Sequence, residues 1–256
     1  MIVSPMSVEY IDHMGTDLTI CNAARVSFNK VSKLEVVCWS CGWQGAYPET
    51  DFCPNCEVDN SGWENPDDQR LSDADAKLIR YLVKHDHWSP LAHTSIQIRV
   101  KAPIFVARQL VKHQVGLVWN EVSRRYVDSE PEFWFPEVWR GRPTGSMKQG
   151  SSGTVERFNH EDGTFIVSGV AEYVCKDALT AYNRLIDGGV APEQARMILP
   201  QNMMTTWIWT GSLVAFARVC KLRLDPHAQA ETAEIAQGIS DIIAPLFPVS
   251  WEALRT

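Results

Sequence analysis

The sequence predicts an α+β fold: a small mixed sheet, several helices and a short cysteine-rich insert. Three observations carry this. Apolar residues recur at helical spacing in several segments, Ser95–Val100 alternates apolar and polar residues like a half-buried strand, and two Cys-x-x-Cys pairs stand close together near the amino terminus. The 256 residues, 45% of them hydrophobic, supply core enough for a single domain over 1–256, with the insert at 34–71.

The elements follow in chain order. Cys38-Trp39-Ser40-Cys41-Gly42 and Cys53-Pro54-Asn55-Cys56 leave eleven residues between the pairs. Four thiolates so spaced can close a tetrahedral Zn²⁺ shell with no open position, a structural site in a zinc ribbon. The competing reading, two disulfides, is disfavoured in a reducing compartment. Ser72 with Asp75 three residues on opens a helix that continues through Leu78, Tyr81 and Leu82. After the 95–100 strand, Pro103 opens a short apolar helix that Gly116 ends. The stretch Trp139–Gly153, rich in Gly, Ser and Arg, reads as a mobile loop, either a solvated linker or a lid. Val167, Val170, Val174, Ala178, Tyr182 and Leu185 keep helical spacing until Gly188-Gly189. Pro192 opens a further helix carrying Arg196, and Pro200 ends it. Trp207–Cys220 reads as a deeply packed apolar helix, and Ala228–Ile243 as a last amphipathic one before Pro245.

Net charge is −7, which argues against broad nucleic-acid binding. The acidic residues of the insert (Glu49, Asp51, Glu57, Asp59, Glu64, Asp67, Asp68) argue the same way. Arginines nevertheless gather at 124, 125, 140, 142, 196, 218 and 223, so local positive potential coexists with an acidic total. No apolar run reaches the length of a membrane span, and no basic-then-apolar leader pattern opens the chain, so the expectation is a cytoplasmic protein.

The densest polar stretch is Arg108-Gln109-Leu110-Val111-Lys112-His113-Gln114, followed by Asn120-Glu121-Val122-Ser123-Arg124-Arg125-Tyr126. So many convergent polar groups suit a charged, hydrogen-bonding ligand rather than a core. On a helix from Pro103, Gln109, Lys112 and His113 share one face at i, i+3 and i+4. The Asn-to-Tyr run follows as a loop or an extended strand.

This stretch resembles the signature of flavin-dependent thymidylate synthases, the ThyX family: Arg-His-Arg-x-x-Ser-x-Asn-Glu-x-Ser-x-Arg-Tyr. The second half matches as Asn120–Tyr126. In the first half Lys112-His113-Gln114 replaces Arg-His-Arg, the middle serine is absent and the spacer is one residue longer. Further blocks similar to the family's stand in order at Ala23–Phe28, His85–Pro90, Val100–Gln109, Ala195–Pro200 and Leu222–Gln229. The resemblance covers nearly the whole chain apart from about 34–71 and 138–165.

The resemblance implies a ThyX-like fold and a homotetramer with active sites between subunits. It implies binding of deoxyuridine monophosphate (dUMP) by Gln109, Lys112, Glu121, Ser123, Arg124, Arg125, Arg196 and Arg223, with Arg223 and Ser123 catalytic. Guanidinium forks suit a phosphate, and a guanidinium at the uracil N3/O4 edge can stabilise charge developing on the ring. FAD would meet Ser89, Lys112, His113, Gln114, Glu121, Ser212 and Arg218. NADPH would reduce it, and 5,10-methylenetetrahydrofolate would supply the carbon. Ser212, Val214 and Arg218 stand where the family commonly has Asn, Arg and Asn, so Arg218 is expected to restore the cation that Gln114 removes. Arg25, His85 and His87 are read as structural. A conventional thymidylate synthase uses an activated thiolate, whereas Cys21, Cys175 and Cys220 read as buried small hydrophobes. Two alternatives remain: hydroxymethylation of dUMP or modification of another pyrimidine nucleotide, and a non-catalytic member acting through its zinc ribbon.

Overall fold

A computed structural model of the chain describes residues 1–46, 52–59, 69–127, 129–143 and 150–255. The acidic Glu49, Asp51, Glu64, Asp67 and Asp68, and positions 144–149 of the glycine-rich loop, lie outside the described residues. The first strands and helices are β1 (Ile2–Val3), β2 (Ser7–Met14), α1 (Asp17–Arg25), β3 (Glu35–Val37), β4 (Gln44–Gly45), β5 (Gln69–Arg70) and α2 (Asp73–Lys84). Next come β6 (Ser95–Pro103), α3 (Ile104–Leu110), β7 (Leu117–Glu121), β8 (Glu132–Phe133), β9 (Arg140–Gly141), β10 (Ser152–Thr154), β11 (Arg157–His160) and β12 (Gly163–Ile166). The rest are α4 (Val167–Asp187), α5 (Pro192–Ala195), β13 (Met204–Gly211), α6 (Leu213–Arg223), α7 (Ala230–Leu246) and α8 (Pro248–Arg255). The chain divides into two compact units. Met1–Asp12, Gln97–Thr210 and Arg218–Ile242 form the first; His13–Ile96, Gly211–Ala217 and Ile243–Thr256 form the second.

The first unit holds most of a four-stranded sheet of order β2-β6-β13-β7. β6 alternates as its sequence requires, burying Ile98, Val100 and Ala102. β13 corrects the expected helix from Trp207. Its Thr-Thr-Trp-Ile-Trp-Thr run is β-branched and aromatic, every second residue is buried, and the helix begins only at Leu213. Short apolar runs do not declare their period, and pairing within the sheet decides this one. Trp119 of β7 stacks on Trp207 with ring centroids 4.1 Å apart, tying the two strands through their side chains.

The α3 helix is also shorter than expected. Pro103 is its N-cap and Leu110 its last residue, so Lys112 and His113 follow the helix instead of extending its face. His113 N–H closes a turn on the Leu110 carbonyl at 3.0 Å, and Gly116, at φ 76°, reverses the chain into β7. Entry of Leu117–Glu121 into the sheet overrides helical periodicity here. α4 runs as its pattern predicts and stops at Gly188, packing Cys175, Leu179 and Tyr182 with Phe133, Ala195 and Met203. The helix opened by Pro192 is only four residues long before a tighter turn at Arg196–Ile198. α7 carries Pro245 inside its last turn, where the ring removes one N–H donor just before the helix ends, and continues to Leu246.

In the second unit α8, unforeseen from the sequence, starts at Pro248. The buried Asp17 carboxylate accepts from the Val249 N–H at 2.8 Å and the Ser250 N–H at 3.0 Å, filling the orphan donors of that helix's first turn. At the start of α2, Ser72 Oγ accepts from the Asp75 N–H at 3.1 Å, as the sequence predicts. Asp75, its side chain only 4% exposed, accepts from Arg25 Nε at 2.9 Å, Ser32 Oγ at 2.8 Å and Ser72 Oγ at 3.0 Å. Burial alone would raise its pKa; the donors outweigh it and hold the carboxyl below its ordinary value. Arg25 is thus a structural residue. Between Ser32 and Ser72 the strands pair in the order β4-β3-β5, around a core of Val36, Cys38 and Cys53 flanked by Trp43 and Cys56.

Candidate functional site

The first unit contains a cavity of about 590 Å³ whose lining includes Arg108 from α3, Glu121 at the end of β7, Arg124 from the following turn, Arg196 after α5 and Thr205 on β13. Ending β7 at Glu121 puts the next residues in a turn, where Ser123 carbonyl accepts from the Tyr126 N–H at 3.0 Å. The Glu121 carboxylate is oriented by two donors, Thr205 Oγ1 at 2.7 Å and Trp119 Nε1 at 3.2 Å. Arg124 donates to the Ser129 carbonyl at 2.5 Å and Arg196 to the Glu193 carbonyl at 3.3 Å. Among the described residues none of these three arginines has a carboxylate at ion-pair distance. Their guanidinium N–H groups therefore remain available to an anion. At another edge Lys101 Nζ donates to Glu132 at 2.6 Å, and that bond holds the Glu132 pKa below its ordinary value.

The structure thus brings Glu121, Arg124 and Arg196 together around one cavity, while Gln109, Lys112, Ser123, Arg125 and Arg223 are not among its lining. Ser123 Oγ accepts from Arg125 Nε at 3.1 Å, and the Arg125 guanidinium lies 4.9 Å from the Tyr126 ring centre. Gln109 accepts from Thr232 Oγ1. Arg223 Nε donates to His113 Nε2 at 3.0 Å. Burial, with the Arg223 charge second, pushes the His113 pKa down, so the imidazole is neutral at pH 7. Lys112, Gln114 and Arg218 are exposed in the first unit, and Ser89 and Ser212 belong to the second.

Among the lining residues that sequence reasoning gave no role are Arg108 and Thr205. Arg108 stood within the motif region but was assigned no role. Thr205 precedes the segment expected as a helix from Trp207 and was assigned to no element; strand alternation through β13 would have aimed it alongside Trp207.

Cys21, Cys175 and Cys220 are buried. Burial, reinforced by Asp75, pushes the Cys21 thiol up to about 12, and burial also raises Cys175, which donates to Asn202 Oδ1 at 3.3 Å. Neither is an activated nucleophile. Cys38, Cys41, Cys53 and Cys56 instead converge, with all four sulfurs within 4.8 Å of one another. A second cavity of about 660 Å³ is walled mainly by apolar groups, among them Phe105, Trp134, Trp139 and Val174. Its lining also holds an ion pair, Arg140 Nη2 to Glu231 at 2.6 and 2.8 Å, which already satisfies both charges.

This is an α+β protein whose cavity, lined by Arg108, Arg124 and Arg196 together with glutamates, is of a size and polarity suited to a nucleotide-sized anionic ligand. The sequence profile described as "Thymidylate synthase complementing protein" matches residues 9–249, and the chain is a member of that family, ThyX. A flavin-dependent thymidylate synthase of Thermus thermophilus is 33% identical over 248 residues, 97% of this chain and 75% of that protein. The one from Kosmotoga olearia is 36% identical over 179 residues, 70% of this chain and 75% of that protein. Among solved structures, PolB from Streptomyces cacaoi, a UMP/dUMP methylase crystallised with 5-Br dUMP, superposes with a TM-score of 0.72 at 26% identity, covering 98% of this chain and 95% of PolB. A second PolB crystal holds 5-Br UMP. No described helix is long and apolar enough to cross a membrane.

Proposed function

We propose that this chain is a flavin-dependent thymidylate synthase converting dUMP to dTMP in the cytoplasm, with 5,10-methylenetetrahydrofolate as carbon donor, FAD as redox cofactor and NADPH as its reductant. The observation that carries this reading is the convergence of Glu121, Arg124 and Arg196 on one cavity, in a chain that the family profile matches from 9 to 249. Arg124 and Arg196, with Arg125, suit the nucleotide phosphate. Arg223, whose Nε is engaged by His113, keeps its Nη donors for the uracil edge, where it would stabilise charge developing on the ring. Ser123 is the neighbouring hydroxyl, and Gln109 and Glu121 are the amide and carboxylate that orient the base.

Lys112 and Arg218 fit an anionic dinucleotide: both are exposed, and among the described residues neither has an acidic partner. With Ser89, His113, Gln114, Glu121 and Ser212 they would hold FAD, which supplies reducing equivalents when bound. Zn²⁺ would belong to the four-cysteine centre, apart from this reaction. Assembly as a homotetramer is supported by the exposed apolar face of α4, where Tyr173 is 70% and Val174 50% exposed.

PolB, named for both UMP and dUMP, supports a second reading in which the ribonucleotide is also methylated. Mass analysis of nucleotides after incubation with FAD, NADPH and methylenetetrahydrofolate separates these. Methylated dUMP, dependent on FAD and lost in Arg223→Ala, is expected. Methylated UMP would favour the second reading, a hydroxymethyl product would overturn both, and flavin binding with no product would point to another carbon donor.

A further inference from the structure

We infer that Cys38, Cys41, Cys53 and Cys56 form a closed four-thiolate site for a single thiophilic, tetrahedral divalent cation, Zn²⁺, built from two copies of one local device. In the first copy Cys38 N–H donates to the Trp43 carbonyl at 2.8 Å and Gly42 N–H to the Cys38 carbonyl at 2.9 Å. In the second, Cys53 N–H donates to the Val58 carbonyl at 3.0 Å and Glu57 N–H to the Cys53 carbonyl at 2.9 Å. The two bonds fall at the same offsets from the first cysteine of each pair. The backbone turns left-handed at the same place, φ 71° at Gly42 and 56° at Glu57. The N–H groups of Trp43 and Val58 meet Cys41 and Cys56 in matching fashion. Each turn thus presents two sulfurs outward from a rigid knuckle.

The knuckles face each other. Cys38 Sγ lies 3.7 Å from Cys56 Sγ, and Cys41 Sγ lies 3.7 Å from Cys53 Sγ, so each short edge joins one knuckle to the other. A tetrahedron with metal–sulfur bonds of about 2.3 Å has edges of about 3.8 Å, whereas a disulfide needs about 2.05 Å. Four thiolates around a dication leave a net negative charge, and N–H donors aimed at the sulfurs offset it. Asn55 supplies two of them, from its backbone N–H to Cys53 and from Nδ2 to Cys41, each at 3.4 Å, bridging the knuckles.

An ordinary core does not account for the cluster. Cys41 is exposed and Cys56 only half-buried, so burial as small hydrophobes does not explain the convergence of all four sulfurs. Among the described residues the buried core of this segment comprises Val36, Cys38 and Cys53, too little to order a three-stranded sheet without a staple. With four protein ligands no coordination position stays open for substrate, so the ion is structural.

The test uses the full chain purified without chelator. Elemental analysis should find one zinc per chain, and exchange with Co²⁺ should give the absorption of a tetrahedral four-sulfur site. Alkylation with peptide mapping, which needs no variant, should show the four cysteines protected in zinc-loaded protein and modified after chelation. Asn55→Ala should hold zinc about 10-fold more weakly in chelator competition. Sub-stoichiometric metal after reconstitution, or equal alkylation with and without zinc, would overturn the proposal. Neither readout depends on catalysis, so the result is separate from the fate of the nucleotide assignment.

Discussion

Arg223 reaches His113 through Nε at 3.0 Å, and a histidine accepts that bond only while unprotonated at Nε2. The pair therefore positions the arginine and restricts the pH range over which it is held. Because burial and Arg223 lower the His113 pKa in the folded chain, the stability this residue contributes is fully present above its unfolded value near 6.5. It is lost as pH falls through the lower folded value. The same protonation would set two cations against each other and release Arg223. His113→Phe should weaken dUMP binding about tenfold, the loss of one hydrogen bond to a charged group, and flatten its decline towards pH 5. His113→Gln, which keeps an acceptor, should recover affinity but not the pH dependence. Calorimetric titration across that range checks both, and unchanged affinity in the phenylalanine variant would mean that other groups place Arg223.

The two cysteine knuckles differ in one informative way: a glycine occupies the left-handed position of the first and Glu57 that of the second. A residue with a Cβ at that φ costs about 1–2 kcal/mol. Glu57→Gly should relieve roughly 1 kcal/mol of this, part being offset by the freer unfolded chain, and slow hydrogen exchange of the knuckle amides. Faster exchange would show that the Glu57 side chain supports the turn. Ser72 with Asp75, the stop at Gly188-Gly189 and the alternation of β6 were legible in advance because each is a local signal of caps, breakers or period. β13 and the early end of α3 were not, because the deciding partner of Trp207 is Trp119, distant in sequence. Glu121, in the motif, and Arg196, in a separate family-like block, were legible as candidates and line one cavity, whereas Thr205, two residues before the stretch misread as helix, carried no signal of its own.

The resemblance implies that nucleotide and flavin sites are shared between copies of the chain, a proposal that the separate placement of the arginines motivates. Arg124 and Arg196 line the cavity of the first unit, while Arg223 is engaged with His113 and does not line it. Arg218, exposed on α6, is the expected replacement for the cation absent at Gln114. Arg218→Ala should weaken FAD binding about 10-fold or more, as loss of a charge-assisted contact does, with the oligomer intact by native mass spectrometry. Unchanged flavin affinity, read by fluorescence quenching, would leave Lys112 as the sole compensating cation. Dilution to monomers should abolish turnover without releasing zinc, because the four ligands come from one chain.

Asp75 accepts from Ser32 on the outgoing side of the cysteine segment and from Ser72 on its return. One carboxylate therefore pins both ends of a long excursion, and the antiparallel pairing of Glu35 with Arg70 extends the stem. With its ends already joined, the length of the excursion has little bearing on the helices beneath it, since closure entropy grows only as the logarithm of loop length. The stem acts as a socket. A short linker from Ser32 to Ser72 should seat in it as well as the present segment does, which makes this position a ready place to graft or exchange a module.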